Sequence, residues 1–320
     1  MRSPEDVVAV AGEVITDMVP AGGPGLFRAA PGGSPANVAV GLARLEVPVR
    51  LLARLSGDVL GRRLRRHLAD NGVDLSRAVD AAEASSLAIV VLADDGSAEY
   101  DFRVDGTADW QWTDDELVDA LDDVVALHVG SLGLTTPPGG EVLRRLAARA
   151  RATATVTFDP NVRHLLMGSA SATMRIVDEV LAVADVVKAS DEDLAWLAPD
   201  RSIAEVAGDW VSRGPALVVV TRGGDGAYAV GAGAGAVDLP GIAVEVVDTV
   251  GAGDSFMGAL VAGLHRRDLL GAAARNALRS LPAGDVEELV HEAIEVSAIT
   301  CSRQGADPPT AAEIRARHGG

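Results

Sequence analysis

An aspartate set among glycines, Gly251-Ala252-Gly253-Asp254, is the stretch of this chain whose residue types suggest chemistry most directly. Glycines let the backbone turn its N–H groups to one side and form a concave anion site. An apolar run at 256–264 reads as a helix, and its first turn adds unpaired N–H groups and the positive end of a dipole. A carboxylate inside an anion site suits phosphoryl transfer. The N–H groups take up charge on the moving group, and the acid accepts the proton of the attacking oxygen. The same four residues also read as a glycine turn with an ordinary helix-capping aspartate, and the fragment alone does not separate the two. The β-branched run at 242–247 reads as a strand, so the motif is expected on a strand-to-helix turn.

A second glycine turn, Pro31-Gly32-Gly33-Ser34-Pro35-Ala36-Asn37, precedes an apolar helix expected over 38–45. It offers backbone N–H groups and the Asn37 amide to a neutral polar ligand such as a sugar hydroxyl. Alternatively, it is a tight turn whose Asn37 bonds its own loop. Asp17 follows a strand read over 7–14, where a carboxylate either meets a ligand or is a solvated loop acid.

The elements that would position these residues alternate along the chain. Strands are expected at 49–55, 124–130, 154–158, 186–188 and 216–221. Helices are expected at 61–70, 113–121, 140–150, 171–182, 191–197, 203–212 and 286–298, with a short one near the C-terminus. This alternation implies a mostly parallel sheet covered on both faces, with ligands outside the carboxyl ends of its strands. Asp17, Asn161, Arg163, Thr221 and Asp254 all read as lying just after strands, so they are expected to converge. Runs at 87–93 and 98–104 around Asp94-Asp95-Gly96 form a hairpin that projects as a small second sheet, with Tyr100, Phe102 and Arg103 as its notable side chains. Thr221 to Gly226 is a turn into another strand rather than a nucleotide fingerprint. Gly231 to Ala236 matches a dinucleotide pattern only superficially, because no helix follows; it reads as a flexible loop.

Composition narrows the class. With 320 residues and 48% hydrophobic content the chain can bury a large core. A formal net charge of −18 without a basic stripe argues against nucleic-acid binding. The sole cysteine, Cys301, excludes an intrachain disulfide, and no apolar run is long enough for a membrane span. A cytoplasmic protein is expected. Lys188 is the only lysine, which reads as compositional bias. There is no Walker-type phosphate loop, no protein-kinase catalytic loop and no zinc-ligand spacing.

The two glycine signatures, in this order and across residues 7–310, resemble those of the ribokinase-like (phosphofructokinase-B) carbohydrate kinases. Gly12-Glu13 and the stretches 31–45, 158–163, 188–194 and 305–310 look most like bacterial fructokinases. The resemblance implies a single domain over 1–320, a three-layer α/β/α sandwich with a mostly parallel sheet. A small β-sheet lid would come from about 14–31 and 86–112. It implies transfer of the ATP γ-phosphoryl to a sugar hydroxyl, most plainly of fructose, with Mg²⁺. Asp254 matches the catalytic base, and Gly251, Ala252 and Gly253 the anion hole. Asp17, Gly32, Gly33, Asn37, Phe102, Arg103, Asn161 and Arg163 fall in the sugar-binding set. Lys188, Thr221, Gly223, Gly226 and Gly253 fall in the nucleotide set, and Asp248 and Val250 match a loop that often binds K⁺. The family's Asn-x-x-Glu appears here as Ser190-Asp191-Glu192-Asp193, with Asp193 the positional match for the Mg²⁺-linked acid. Lid pairing in the family implies a homodimer. Kinases of 2-keto-3-deoxygluconate, ribose or nucleosides, and a non-catalytic sugar-binding regulator, are the alternatives.

Overall fold

The computed structural model describes residues 6–23, 25–92 and 98–319. The strands, in chain order, are β1 (Val7–Ala11), β2 (Ile15–Pro20), β3 (Phe27–Gly32), β4 (Val49–Leu52), β5 (Arg54–Ser56), β6 (Val79–Ala81), β7 (Leu87–Leu92), β8 (Ala98–Arg103), β9 (Val124–Gly130), β10 (Thr155–Asp159), β11 (Val186–Ser190), β12 (Leu217–Thr221), β13 (Ala227–Gly231) and β14 (Gly235–Leu239). The α-helices are α1 (Ser34–Arg44), α2 (Val59–Asp70), α3 (Gly139–Ala150), α4 (Ala170–Leu181), α5 (Asp191–Leu197), α6 (Ile203–Ser212), α7 (Ala252–Arg266), α8 (Arg275–Arg279), α9 (Ala283–Cys301) and α10 (Ala311–Arg317).

Eight strands form the main sheet in the order β14-β13-β12-β11-β10-β9-β1-β4, parallel except where β13 runs against both neighbours. Alternation along each strand divides the core in two. Val8, Val10, Ala126, Val186, Leu217 and Val219 pack under the layer of α1, α7 and α9. Ala9, Leu127, Val129, Phe158, Val187 and Val218 pack under α3, α4 and α6, where Leu143, Leu181 and Trp210 are buried. Each fully buried leucine of either layer contributes about 1.5–3 kcal/mol relative to exposure. The result is the expected three-layer sandwich. A separate four-stranded sheet, β3-β2-β7-β8, stands off it as the lid, and β5 with β6 makes a small parallel pair. The hairpin turn at Asp94-Asp95-Gly96 lies outside the described residues.

Four local expectations are corrected. Residues 242–247 form no strand. A Cβ on Gly241 would stand 2.1 Å from the Gly224 carbonyl oxygen, so the chain leaving β14 packs its backbone directly on the Gly223–Gly226 turn. The extended segment beyond it is tethered by Val247 N and Asp248 N, both donating to the Cys301 carbonyl at 2.9 and 3.2 Å. Residues 113–121 hold only a short 3₁₀ turn, Asp114–Leu117. Glu116 caps Thr113 N as its spacing implies, but Arg149 takes the Leu117 and Val118 carbonyls that a longer helix would use. The strand read at 49–55 is broken at Ala53, whose carbonyl accepts from Val79 N as the chain leaves to pair with β6. Residues 231–236 are the tight turn joining β13 to β14, with Gly231 paired to Gly235, rather than a flexible loop.

Candidate active site

The helix α7 starts earlier than its apolar run implies. Gly251 is its N-cap at φ 76°, in the left-handed region where glycine is at ease, and a Cβ there would lie 2.6 Å from the Ala306 Cβ. Gly253 and Asp254 therefore belong to the first helical turn, among the N–H groups with no intrahelical acceptor. Asp254 is buried, and its two oxygens are held from the other glycine turn. Ser34 Oγ donates to Oδ1 at 2.6 Å, and Asn37 Nδ2 donates to Oδ2 at 2.8 Å. The starts of α1 and α7, which pack against each other, thus meet over one carboxylate. Ser34 was not among the expected site residues. Its only sequence signal is a place inside the Gly32 to Asn37 turn.

Asp17 does not follow β1 but sits inside lid strand β2, paired with Ala30 and Ala88. The intervening chain turns at Gly12, φ 151°, where a Cβ would stand 2.4 Å from Pro35 Cγ. A Cβ on Gly32 would lie 2.2 Å from Asp17 Oδ2, and one on Gly33 (φ 100°) 2.5 Å from the Glu13 carbonyl oxygen, so both glycines are required by close approach. Burial pushes the Asp17 carboxyl up to about 6; Arg163 opposes this and Asp254 adds to it, so each of the two lies within electrostatic reach of Asp17. Register distinguishes the two lid side chains. Ala88 pairs with Phe102, so Phe102 shares the face of Asp17. Arg103 falls on the opposite face, 64% exposed and ion-paired with Asp101 at 2.6 Å, so the structure does not bring it together with Asp17.

Lys188 is more than compositional bias. The only lysine in the chain is 3% exposed. Its Nζ donates to Asp159 Oδ2 at 2.9 Å, and a Cβ added to Gly253 would lie 2.8 Å from that same nitrogen. The ammonium therefore rests against the first turn of α7. Burial works against its charge, but Asp159, Asp193 and Asp254 outweigh burial and hold it above the ordinary lysine value.

The ends of β10, β11 and β12 supply the rest. Asn161, at φ 40°, donates its N–H to Asp159 Oδ1, and its side chain reaches Ser131 Oγ at 3.4 Å. Asp193 Oδ1 accepts from Val162 N at 2.7 Å and Oδ2 from Ser190 N at 2.8 Å, tying the β11–α5 turn to the 161–163 loop. Both its oxygens thus hold backbone. Glu192 is exposed. Ser190 and Thr221 stand in register at adjacent strand ends, and Gly223 and Gly226, both at positive φ, shape the turn that follows. Asp248 accepts from Val250 N at 3.1 Å and from Gly305 N at 2.8 Å, joining two loops beside α7. Among the described residues no three acids, histidines or cysteines cluster as a metal cage.

A buried ammonium, a helix N-terminus and a carboxylate, beside a small second sheet that carries Asp17, fit a small-molecule phosphotransferase of the α/β kinase class. A profile of the pfkB family carbohydrate kinases matches residues 8–313, and the chain belongs to that family. It is an ATP-dependent sugar kinase. It is 34% identical over 267 residues to a fructokinase of Rhizobium leguminosarum bv. trifolii, covering 82% of this chain and 81% of that protein. It is also 34% identical over 330 residues to fructokinase-1 of Oryza sativa subsp. japonica, covering 98% of each. The crystal structure of a Xylella fastidiosa fructokinase with bound ATP superposes with a TM-score of 0.87 at 30% identity over 97% of both chains. That of a Vibrio cholerae O395 fructokinase with fructose, ADP and calcium gives 0.81 at 28% identity over 98% of both.

Proposed function

We propose that the protein is a fructokinase in which Asp254 is the base. The observation that carries this reading is the buried Asp254 carboxylate at the start of α7, held by Ser34 and Asn37 of the other glycine turn, with Asp17 of the second sheet feeling both its charge and that of Arg163. Fructose lies between them, its hydroxyls bonded by Asp17, the Gly32–Gly33 backbone, Asn37 and Asn161, with Phe102 closing over it from the lid. The sugar hydroxyl exchanges into the hydrogen bonds of Asp254 and loses its proton there as its oxygen attacks the γ-phosphorus. N–H groups of Gly251 to Gly253 and the Lys188 ammonium take the charge on the transferring oxygens. Thr221, Gly223 and Gly226 border the remaining phosphates. The substrates named for the fructokinase relatives support the choice of sugar.

Mg²⁺ would come with the nucleotide and would neutralise phosphate charge there, as suits a hard cation to which the described residues offer few ligands. Asp193 acts on it indirectly, by fixing the 161–163 loop. Asp248 and the carbonyls near Val250 are the place for K⁺, a role supported by the tie from Asp248 to Gly305. Two copies pair through their lids, and the free Cys301 suits a reducing, cytoplasmic setting.

ADP release measured over fructose, ribose, 2-keto-3-deoxygluconate and nucleosides tests the reading. Fructose is expected to give the highest kcat/KM; another sugar in that position displaces it. Binding of sugar and ATP with no ADP release returns the chain to a regulator. Asp254→Asn is expected to lower kcat about 10²–10⁴-fold, and near-normal turnover would sink its assignment as the base.

A further inference from the structure

The lid sheet joins the body at four chain crossings: into β2, out of β3, into β7 and out of β8. One buried carboxylate that the chemistry above does not use gathers three of them. Asp109, 2% exposed, follows β8 in a short 3₁₀ turn. Its Oδ1 accepts from the N–H of Val14, the residue before β2, at 2.7 Å. Its Oδ2 accepts from Ser86 Oγ, immediately before β7, at 2.5 Å. Ser86 Oγ is also 2.5 Å from Thr107 Oγ1, on the segment leaving β8, and Thr107 Oγ1 donates to the Val104 carbonyl. The fourth crossing lies close by, since Gly33 packs on the carbonyl of Glu13, the neighbour of Val14.

The residues flanking this knot are fastened to the body. Arg54 Nε donates to the Ala108 carbonyl at 3.0 Å while pairing with Glu83 and Glu116. Ser85 donates through both N and Oγ to Asp58 at 2.8 Å. The root of the lid is thus fixed at residues 14, 86 and 107–109, and the strands project beyond it. Asp17 stands three residues past Val14.

We propose that Asp109 is a positioning residue for sugar phosphorylation: it sets the root of the lid so that Asp17 and Phe102 are presented to Asp254 across the cleft. It touches neither substrate, and its effect passes through β2, β7 and β8. The inference rests on the reading of Asp17 as a sugar contact. A displaced lid lowers sugar affinity and admits water to the γ-phosphoryl, while the nucleotide turn at 221–226 lies outside its reach.

The test compares Asp109→Ala, Asp109→Asn and Ser86→Ala in steady-state kinetics with fructose and ATP, alongside ADP release without sugar. Asp109→Ala is expected to raise the sugar KM about tenfold or more and to raise sugar-independent hydrolysis relative to transfer, with the ATP KM within about twofold of the parent. Asparagine offers an oxygen to Val14 N and a nitrogen to Ser86 Oγ, so it is expected to recover most of the sugar KM. Ser86→Ala removes one arm and is expected to raise the sugar KM about threefold, which keeps the test alive if Asp109→Ala does not fold. A sugar KM unchanged in Ser86→Ala and Asp109→Ala, or sugar and ATP constants worsening together, overturns the proposal. Asp17→Ala serves as the reference: if it too leaves the sugar KM unchanged, the reading of the sugar site has failed rather than the role of Asp109.

Discussion

Asp17 has an environment that ties sugar binding to pH. Burial pushes its carboxyl up to about 6, against the pull of the Arg163 guanidinium and with the push of the Asp254 carboxylate. A raised acid is ionised only above that value. Sugar hydroxyls donate best to the carboxylate, so affinity is full above the midpoint and falls as pH drops through it. Titrating fructose without nucleotide is expected to show a dissociation constant flat above about pH 7 and rising toward tenfold per unit below about pH 5. Because Arg163 is the group that opposes burial, Arg163→Gln is expected to move the midpoint upward. A midpoint that stays in place removes Arg163 from the site.

The helix α7 brings its N-terminal turn, Lys188 and Asp254 into one small volume, and Gly253 is what lets them fit. A methyl group there would meet the ammonium at 2.8 Å, and the Lys188–Asp159 pair leaves little room for retreat. Gly253→Ala is expected to lower kcat by about 10–10² while the sugar KM changes little, the signature of charge lost from the transferring group. Unchanged turnover in steady-state assays would place Lys188 away from that charge. Much of this was legible in the sequence, because glycine turns are local: both turns and the acid in the second can be read from consecutive residues, although α1 and α7 each begin inside the turn, at Ser34 and Ala252, rather than at the apolar run that follows. The partners of those turns could not be read so. Ser34 meets Asp254 across 220 positions, and Asp109 meets Val14 across 95. The face of Arg103 was not legible either, for a simpler reason. Alternation says that neighbours in a strand face opposite ways, but only the pairing of β7 with β2 says which face is the inner one.

That same register bears on how two whole molecules meet. Asp17 and Phe102 define the inner face of the lid, so alternation puts Phe27, paired with Pro20, and Val91, two residues past the Met18 partner Ile89, on the outer face. Both are exposed, at 42% and 43%, and Leu26 beside them at 61%. A chain with a net charge of −18 keeps copies apart by repulsion unless an apolar surface offsets it, and an exposed apolar patch on a projecting sheet is the usual mark of an interface. In the proposed dimer the two lids cover these side chains from water. Light scattering is expected to give twice the mass of 32.8 kDa for the parent and a monomer for Phe27→Asp, which buries a charge if the lids pair. Because Phe27 lies on the face away from Asp17, the variant is expected to retain its fold by circular dichroism. A parent of monomer mass at about 10 µM, well above the dissociation constants of stable dimers, would refute the pairing and leave this apolar strip an ordinary feature of the lid.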